Sequence, residues 1–113
     1  MDRYLAVWNG EASVDDLDGI LSTAYRGHMG SRERTASELR EDILAYRERT
    51  PGVRFRLVHQ FGDGEYIATR LTAEANHPQT GAAISVTGIN ISRWVDGRLA
   101  EEWAVWETLN PGQ

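Results

Sequence analysis

A chain of 113 residues that is 41% apolar and carries four Trp and four Tyr suffices for one domain around one core, which excludes wholesale disorder. A formal charge of −5 argues against a general nucleic-acid binder, and the absence of cysteine excludes disulfides and thiol chemistry. No apolar run reaches the roughly 18–20 residues of a membrane span, and Met1-Asp2-Arg3-Tyr4 opens an amphipathic pattern without a signal-peptide apolar region, so a soluble cytoplasmic protein is expected.

Residues 2–9 read as a short helix whose Tyr4 and Trp8, four apart with Leu5 beside them, make one side aromatic; Asn9-Gly10 ends it. Ser13 reads as the N-cap of a second helix, with Asp15 and Asp16 in its positive first turn. Leu17, Ile20, Leu21 and Ala24 repeat along it at helical spacing. It is expected to break near Tyr25-Arg26-Gly27-His28-Met29-Gly30, where two glycines bracket His28. Thr35 with Glu38 is a capping-box signature for a third helix over 36–49, with Leu39, Ile43 and Tyr46 on one stripe, stopped by Thr50-Pro51-Gly52.

Beyond Gly52 the period changes to that of strands. Val53, Phe55, Leu57, His59 and Phe61 alternate with Arg54, Arg56, Val58 and Gln60, and Gly62-Asp63-Gly64 is a hairpin turn signal. A strand over 65–75 carries Ile67, Leu71, Ala73 and Ala75 on its apolar face and Tyr66, Ala68, Arg70 and Thr72 on the other. After a loose connection over 76–81, a run over 84–95 rich in β-branched residues meets Asp96-Gly97, which suits a two-residue turn, and a last strand runs over 98–109. On it Leu99, Trp103, Val105 and Leu109 share a face with Glu101 and Glu107, while Ala104, Trp106 and Thr108 take the other. Helices first and strands after predict a single α+β domain, 1–113, with three N-terminal helices on a largely antiparallel sheet. Helices of this size cover only part of one sheet face, which leaves a pocket or an interface.

Glu107 is a candidate for chemistry because a carboxylate among apolar neighbours must be paired, protonated or turned to a polar cavity. The alternative is an ordinary acid on a partly wet face. Histidine suits proton transfer near neutral pH. His59 lies on the apolar face of its strand, as a base or as a hydrogen-bonded core residue. His28 sits between glycines, open to a ligand or simply favoured at a helix end. His77 precedes Pro78 in a loop. No metal-binding spacing, phosphate loop or nucleophile elbow occurs, so no metal or cofactor is expected. Acid–base chemistry or pure binding in an apolar pocket remains. Both sheet faces carry large apolar groups, with Trp94 on the face of Ile84 and Val86, opposite Ile89 and Ile91. A homodimer packed sheet to sheet through Trp94 or Trp106 is therefore expected.

The order of these elements, with YRGH at 25–28, LREDILAYRERTPGVRFRLVHQFGDGEYIATRLTAEANHPQTG at 39–81 and VDGRLAEEWAVWETL at 95–109, resembles the SnoaL-like polyketide cyclases of the nuclear-transport-factor-2-like superfamily. The resemblance covers nearly the whole chain. It implies a cone-shaped curved sheet around helices with a deep apolar pocket. It also implies an acid/base for intramolecular aldol closure at Glu107, four residues after Trp103, where most relatives carry Asp. His28 matches a pocket-lining histidine, and His77 a loop histidine, here in Ala75-Asn76-His77.

The expected activity is thus a cofactor-free acid–base enzyme acting on a hydrophobic carbonyl substrate, with no nucleic-acid or membrane partner. Glu107 or His28 would be the base, His59 or Tyr4 would stabilise the enolate oxygen, and Tyr4, Trp8, His77 and Trp103 would contact substrate. The same pocket could serve an isomerase, or an epoxide hydrolase with an Asp–Arg–Asp arrangement if Arg70 faced inward. It could also serve a non-catalytic binding domain, a reading that gains if His28 and Glu107 lie on different faces.

Overall fold

The structure is a computed structural model that describes residues 1–77 and 79–107. Helix α1 (Asp2–Trp8) is followed by a 3-10 turn (Val14–Asp16) and the single turn of α2 (Leu17–Ile20). Strands β1 (Leu21–Met29) and β2 (Arg32–Arg34) precede α3 (Ala36–Arg49). Then come β3 (Arg54–Asp63), β4 (Tyr66–Asn76), β5 (Ala83–Val95) and β6 (Arg98–Trp106). The helices pack on one open six-stranded sheet of order β2-β1-β6-β5-β4-β3, in which β1 and β6 run parallel and every other neighbouring pair antiparallel. No described helix is long and apolar enough to cross a membrane. The expected positions of Thr108 and Leu109 on the last strand lie outside the described residues.

The capping box is present: Thr35 Oγ1 accepts from the Glu38 amide, and the Glu38 carboxylate accepts from the Thr35 amide, satisfying two donors at the start of α3. Leu39 and Ile43 of α3 meet Tyr4 and Val7 of α1, Leu17 and Ile20 of α2, and Leu99 of β6 in the core. Asp96 and Gly97 both have positive φ, 53° and 77°, as the two-residue turn between β5 and β6 requires.

Two expectations fail. The second helix stops after one turn, and the stretch expected to continue it is β1. Leu21 is buried at either periodicity, but Ala24 is exposed and Tyr25 and Gly27 are buried, which is the period of a strand. The backbone of β6 would otherwise be an unpaired edge in the middle of the fold. Pairing with β1 satisfies it, and this outweighs a local pattern that fits a helix.

The faces of β3 and β6 are the second failure, and both have one cause. Leu57 pairs with Leu71 but His59 pairs with Arg70, so Val58 is an extra residue on β3. Trp94 pairs with Leu99 but Arg93 pairs with Glu101, so Ala100 is an extra residue on β6. Each bulge moves every later side chain to the other face. Phe55 and Leu57 point inward, but beyond the bulge Gln60 is inside and His59 and Phe61 are outside. Leu99 is in the core, but beyond its bulge Glu102, Ala104 and Trp106 face the helices while Glu101, Trp103 and Val105 face away. Trp94 packs against the core and Trp106 lines the cavity, so neither belongs to an outer interface.

Candidate functional site

Between the inner sheet face and helices α1 and α3 lies a cavity of about 670 Å³, within the range of small-molecule sites. Its wall follows the cross-strand rows. One row carries Leu57, Leu71, Gly88 and Trp106, the next Gln60, Thr69, Asn90, Ala104 and Met29, and the third Ile67, Ser92, Glu102, Gly27 and Arg34. The third row holds the charged groups. Glu102 on β6 and Arg34 on β2 flank Gly27 on β1. A Cβ on Gly27 would lie 2.4 Å from the Tyr25 hydroxyl and 3.0 Å from the Arg34 side chain, so the missing side chain is the space in which these groups meet.

Glu102 is 2% exposed and fully hydrogen-bonded. Its Oε2 accepts from the hydroxyls of Tyr4 at 2.7 Å and Tyr25 at 3.1 Å, and its Oε1 accepts from Asn90 Nδ2 at 3.2 Å. Arg34 Nη2 stands 3.5 Å from Oε1, and Arg34 Nη1 reaches Asp42 Oδ2 at 3.2 Å, so one guanidinium bridges two carboxylates. Desolvation raises the Glu102 carboxyl above its ordinary value, outweighing the hydrogen bonds and the Arg34 charge that favour the ionised form. Burial first, and the adjacent carboxylate second, push Tyr4 and Tyr25 upward, so both remain neutral donors. Burial works to lower Arg34, but Tyr4, Tyr25 and Glu102 outweigh it and keep the cation charged. Tyr4, Arg34, Asn90 and Glu102 all line the cavity; Tyr25 stands behind them.

Toward its other end the cavity is aromatic, beginning at Trp8, whose ring centre lies 5.8 Å from the Arg34 guanidinium carbon. Trp8 meets Tyr46 at 6.0 Å and Phe55 at 5.5 Å, and Phe55 meets Trp106 at 5.7 Å, each edge to face. Glu107 lies at this end, just beyond β6. Its Oε1 accepts from the Thr87 amide at 2.7 Å and its own amide donates to the Thr87 carbonyl at 2.9 Å. Five residues of strand put its backbone about 17 Å from that of Glu102, so the two carboxylates occupy different parts of the cavity.

The family is decided by the whole chain. Residues 1–113 match the profile described as SnoaL-like polyketide cyclase. The chain belongs to the SnoaL-like polyketide cyclase family. Similar solved structures agree in fold: IdmH of Streptomyces antibioticus (TM-score 0.82, 20% identity, 91% of this chain and 86% of that one); a candidate polyketide cyclase of Acidithiobacillus ferrooxidans (0.79, 20%, 94% and 83%); and TsrD of Streptomyces laurentii (0.78, 24%, 95% and 84%). At these identities the likeness is one of fold. No curated protein matches the chain.

Within this SnoaL-like cavity, Tyr4, Trp8 and Glu107 take the lining positions expected of them. The other expected site residues do not. His28 is on the outer sheet face, stacked on Trp103 at 5.4 Å and 6°, with Nε2 2.8 Å from Glu101 Oε2. The Ala100 bulge puts Trp103 and Glu101 there, and β1 pairs His28 with Trp103. His28 and Glu107 therefore share no cavity. His59 is exposed opposite Arg70, also outward, because of the Val58 bulge. His77 holds its own loop: Nδ1 accepts from the amides of Gln79 and Thr80.

The residues that sequence reasoning missed are Tyr25, Arg34, Asn90 and Glu102. Arg34 lay in a stretch with no predicted element. The alternation of Gly88, Asn90 and Ser92 with Ile89 and Ile91 was visible, but a polar inner face reads like a solvated outer one. The Glu101-Glu102 doublet offered a carboxylate to either face, and only the bulge decides which one is buried.

Proposed function

We propose that the chain is a cofactor-free acid–base catalyst of the cyclase or isomerase type that draws a hydrophobic carbonyl compound into the cavity, with Glu102 as proton acceptor. The observation that carries this reading is a carboxylate buried in the cavity wall, raised by desolvation and surrounded by two phenols, an amide and a guanidinium. A carboxylate raised toward neutrality is better matched to abstracting a carbon-bound proton. As Glu102 takes the proton its oxygens weaken as acceptors. The neutral Tyr4 hydroxyl is then free to turn to the enolate oxygen, while Arg34 offsets the charge. In a cyclase the enolate carbon attacks a second carbonyl of the same substrate and the resulting alkoxide takes a proton; in an isomerase the proton returns to another carbon. The proposal takes the protein as cytoplasmic.

Parallel variants test the assignment. Glu102→Gln is expected to lower turnover of a cyclisable diketone roughly 10²–10⁴-fold. Glu107→Gln, at the position the family resemblance favours, is expected to change it far less. The opposite pattern moves the base to Glu107.

Two other readings have a specific observation behind them. The Glu102–Arg34–Asp42 bridge is the carboxylate–arginine–carboxylate arrangement sought in an epoxide hydrolase, formed around Arg34 rather than Arg70. Diol formed from an apolar epoxide, with no turnover of ketones, would establish it. The separation of His28 from Glu107 and the saturation of both Glu102 oxygens by donors favour a binding domain. A ligand bound and released unchanged by wild type and Glu102→Gln alike would establish that one.

The same reading includes a homodimer. Phe61, Ala68, Ile91 and Trp103 form one outer row and Ile89 and Val105 begin the next, with Phe61 72% and Val105 66% exposed. A second copy packed on this face would remove that apolar surface from water.

A further inference from the structure

Asn90 on β5 is 5% exposed, and the two ends of its amide are in unequal positions. Nδ2 donates to Glu102 Oε1 at 3.2 Å, whereas Oδ1 is buried and no donor among the described residues reaches it. An unpaired buried amide oxygen is costly and calls for a reason. The surroundings of Glu102 supply one. Tyr4 of α1 and Tyr25 of β1 both donate to Oε2. Oε1 faces Asn90 and, at 3.5 Å, the Arg34 guanidinium of β2, which also reaches Asp42 of α3. As they stand, all the groups around Oε1 serve the ionised carboxylate. Once Oε1 carries a proton it becomes a donor, and a guanidinium has no acceptor to offer it. The Asn90 amide has one. A half-turn about its Cβ–Cγ bond puts Oδ1 where Nδ2 now stands, and because Oδ1 has no partner the turn gives up only the bond to Oε1.

We propose that the Asn90 amide is a switch for the proton on Glu102: it donates to Oε1 when the carboxylate is ionised and turns over to accept from the Oε1 hydroxyl when the carboxyl is neutral. In the proton transfer described above, the C–H electron pair stays with the substrate as the enolate and the proton goes to Oε1. The turned amide accepts that proton in a hydrogen bond, Oε2 keeps its Tyr25 donor, and Tyr4 is released toward the enolate oxygen. Return of the proton to the substrate reverses the turn. Asn90 is thus a positioning residue that satisfies both forms of the base, so that neither form leaves Oε1 facing donors it cannot use. Burial gives the switch its weight, because a mismatched polar pair is most costly where water is excluded. The catalytic role rests on the reading of Glu102 as proton acceptor; the turn of the amide does not.

Neutron diffraction from deuterated crystals of the whole chain at about pH 4.5 and about pH 9 decides it, because oxygen, nitrogen and deuterium are told apart directly. Wild type is expected to show Nδ2 toward a bare Oε1 at the higher pH, and Oδ1 toward a deuteron on Oε1 at the lower. An amide oriented alike in both crystals, a deuteron on Oε2 instead, or a carboxyl in the same state at both pH values overturns the switch. Turnover of a cyclisable diketone tests the catalytic role. Asn90→Leu, of similar volume but with neither donor nor acceptor, is expected to lower kcat roughly tenfold with little change in KM. Asn90→Ser, whose hydroxyl donates or accepts by rotating, is expected to recover part of the loss. An Asn90→Leu variant with the kcat of wild type, where Glu102→Gln is impaired, overturns the role of Asn90 alone. Full turnover by Glu102→Gln removes Glu102 as the base and the catalytic role of Asn90 with it, while the diffraction result stands or falls by itself.

Discussion

Glu102 and Arg34 stand in one cross-strand row on either side of Gly27, and their side chains come within 3.5 Å through space that any other residue at position 27 would occupy. The pair is buried on both sides, at 3% and 4% side-chain exposure, so water does little to screen it. Two phenols and an amide donate to the Glu102 oxygens, whereas Arg34 Nε and Asn90 Oδ1 are buried without a hydrogen-bond partner among the described residues. Removing Arg34 would leave the buried Glu102 carboxylate without its counter-charge, removing Glu102 would leave Arg34 with Asp42 alone, and filling the space at Gly27 would push the pair apart.

Gly27→Ala is therefore expected to destabilise the fold by about 1–3 kcal/mol, the usual consequence of forcing a methyl group into a packed interior. Chemical denaturation measures it. Stability equal to wild type would mean that Tyr25 and Arg34 can withdraw freely, and that the cluster does not depend on the glycine.

The raised Glu102 carboxyl has a definite sign in the dependence of stability on pH. Its folded value lies above its ordinary value of 4.5, so between the two the native state binds more protons than the unfolded state. This group's contribution therefore declines as pH rises through that window. Glu102→Gln lacks the titration. The stability advantage of wild type over Glu102→Gln is expected to be larger at pH 4.5 than at pH 7, by urea unfolding at each pH. An advantage that grows toward pH 7 would mean that Arg34 and the hydrogen bonds outweigh burial.

His28 lies on the outer face, paired with Glu101 and stacked on Trp103. Under the catalytic reading centred on Glu102, His28→Gln is expected to change turnover less than about threefold, well short of the roughly 10²-fold that loss of a proton-transfer residue brings. A loss on that larger scale, in a variant that still folds, would return His28 to the mechanism through the sheet.

Val105→Glu places a charge in the middle of the exposed outer patch without touching the cavity wall. Light scattering at micromolar concentration is expected to give a dimer for wild type and a monomer for the variant. A monomeric wild type would end the homodimer proposal, and a dimeric variant would move its interface elsewhere.

The sequence by itself determined the parts that depend on neighbours in the chain. The capping box at Thr35 and Glu38, the third helix and the Asp96-Gly97 turn appear as read, since each rests on contacts only a few residues apart. The α+β class and an apolar face over Ile67, Leu71 and Ala73 follow from local periodicity in the same way. The tertiary structure decided everything that turns on register. Two bulged residues, Val58 and Ala100, carry no local signal because each arises from how one strand meets another. A shift of one residue reverses a strand's faces, which is why Glu102 and Trp106 are in the cavity and Trp103 and His59 are outside. Strand β1 was hidden for a related reason: its pairing energy comes from β6, more than seventy residues away in the chain. The site required both, because Arg34, Gly27 and Glu102 become neighbours only across three strands.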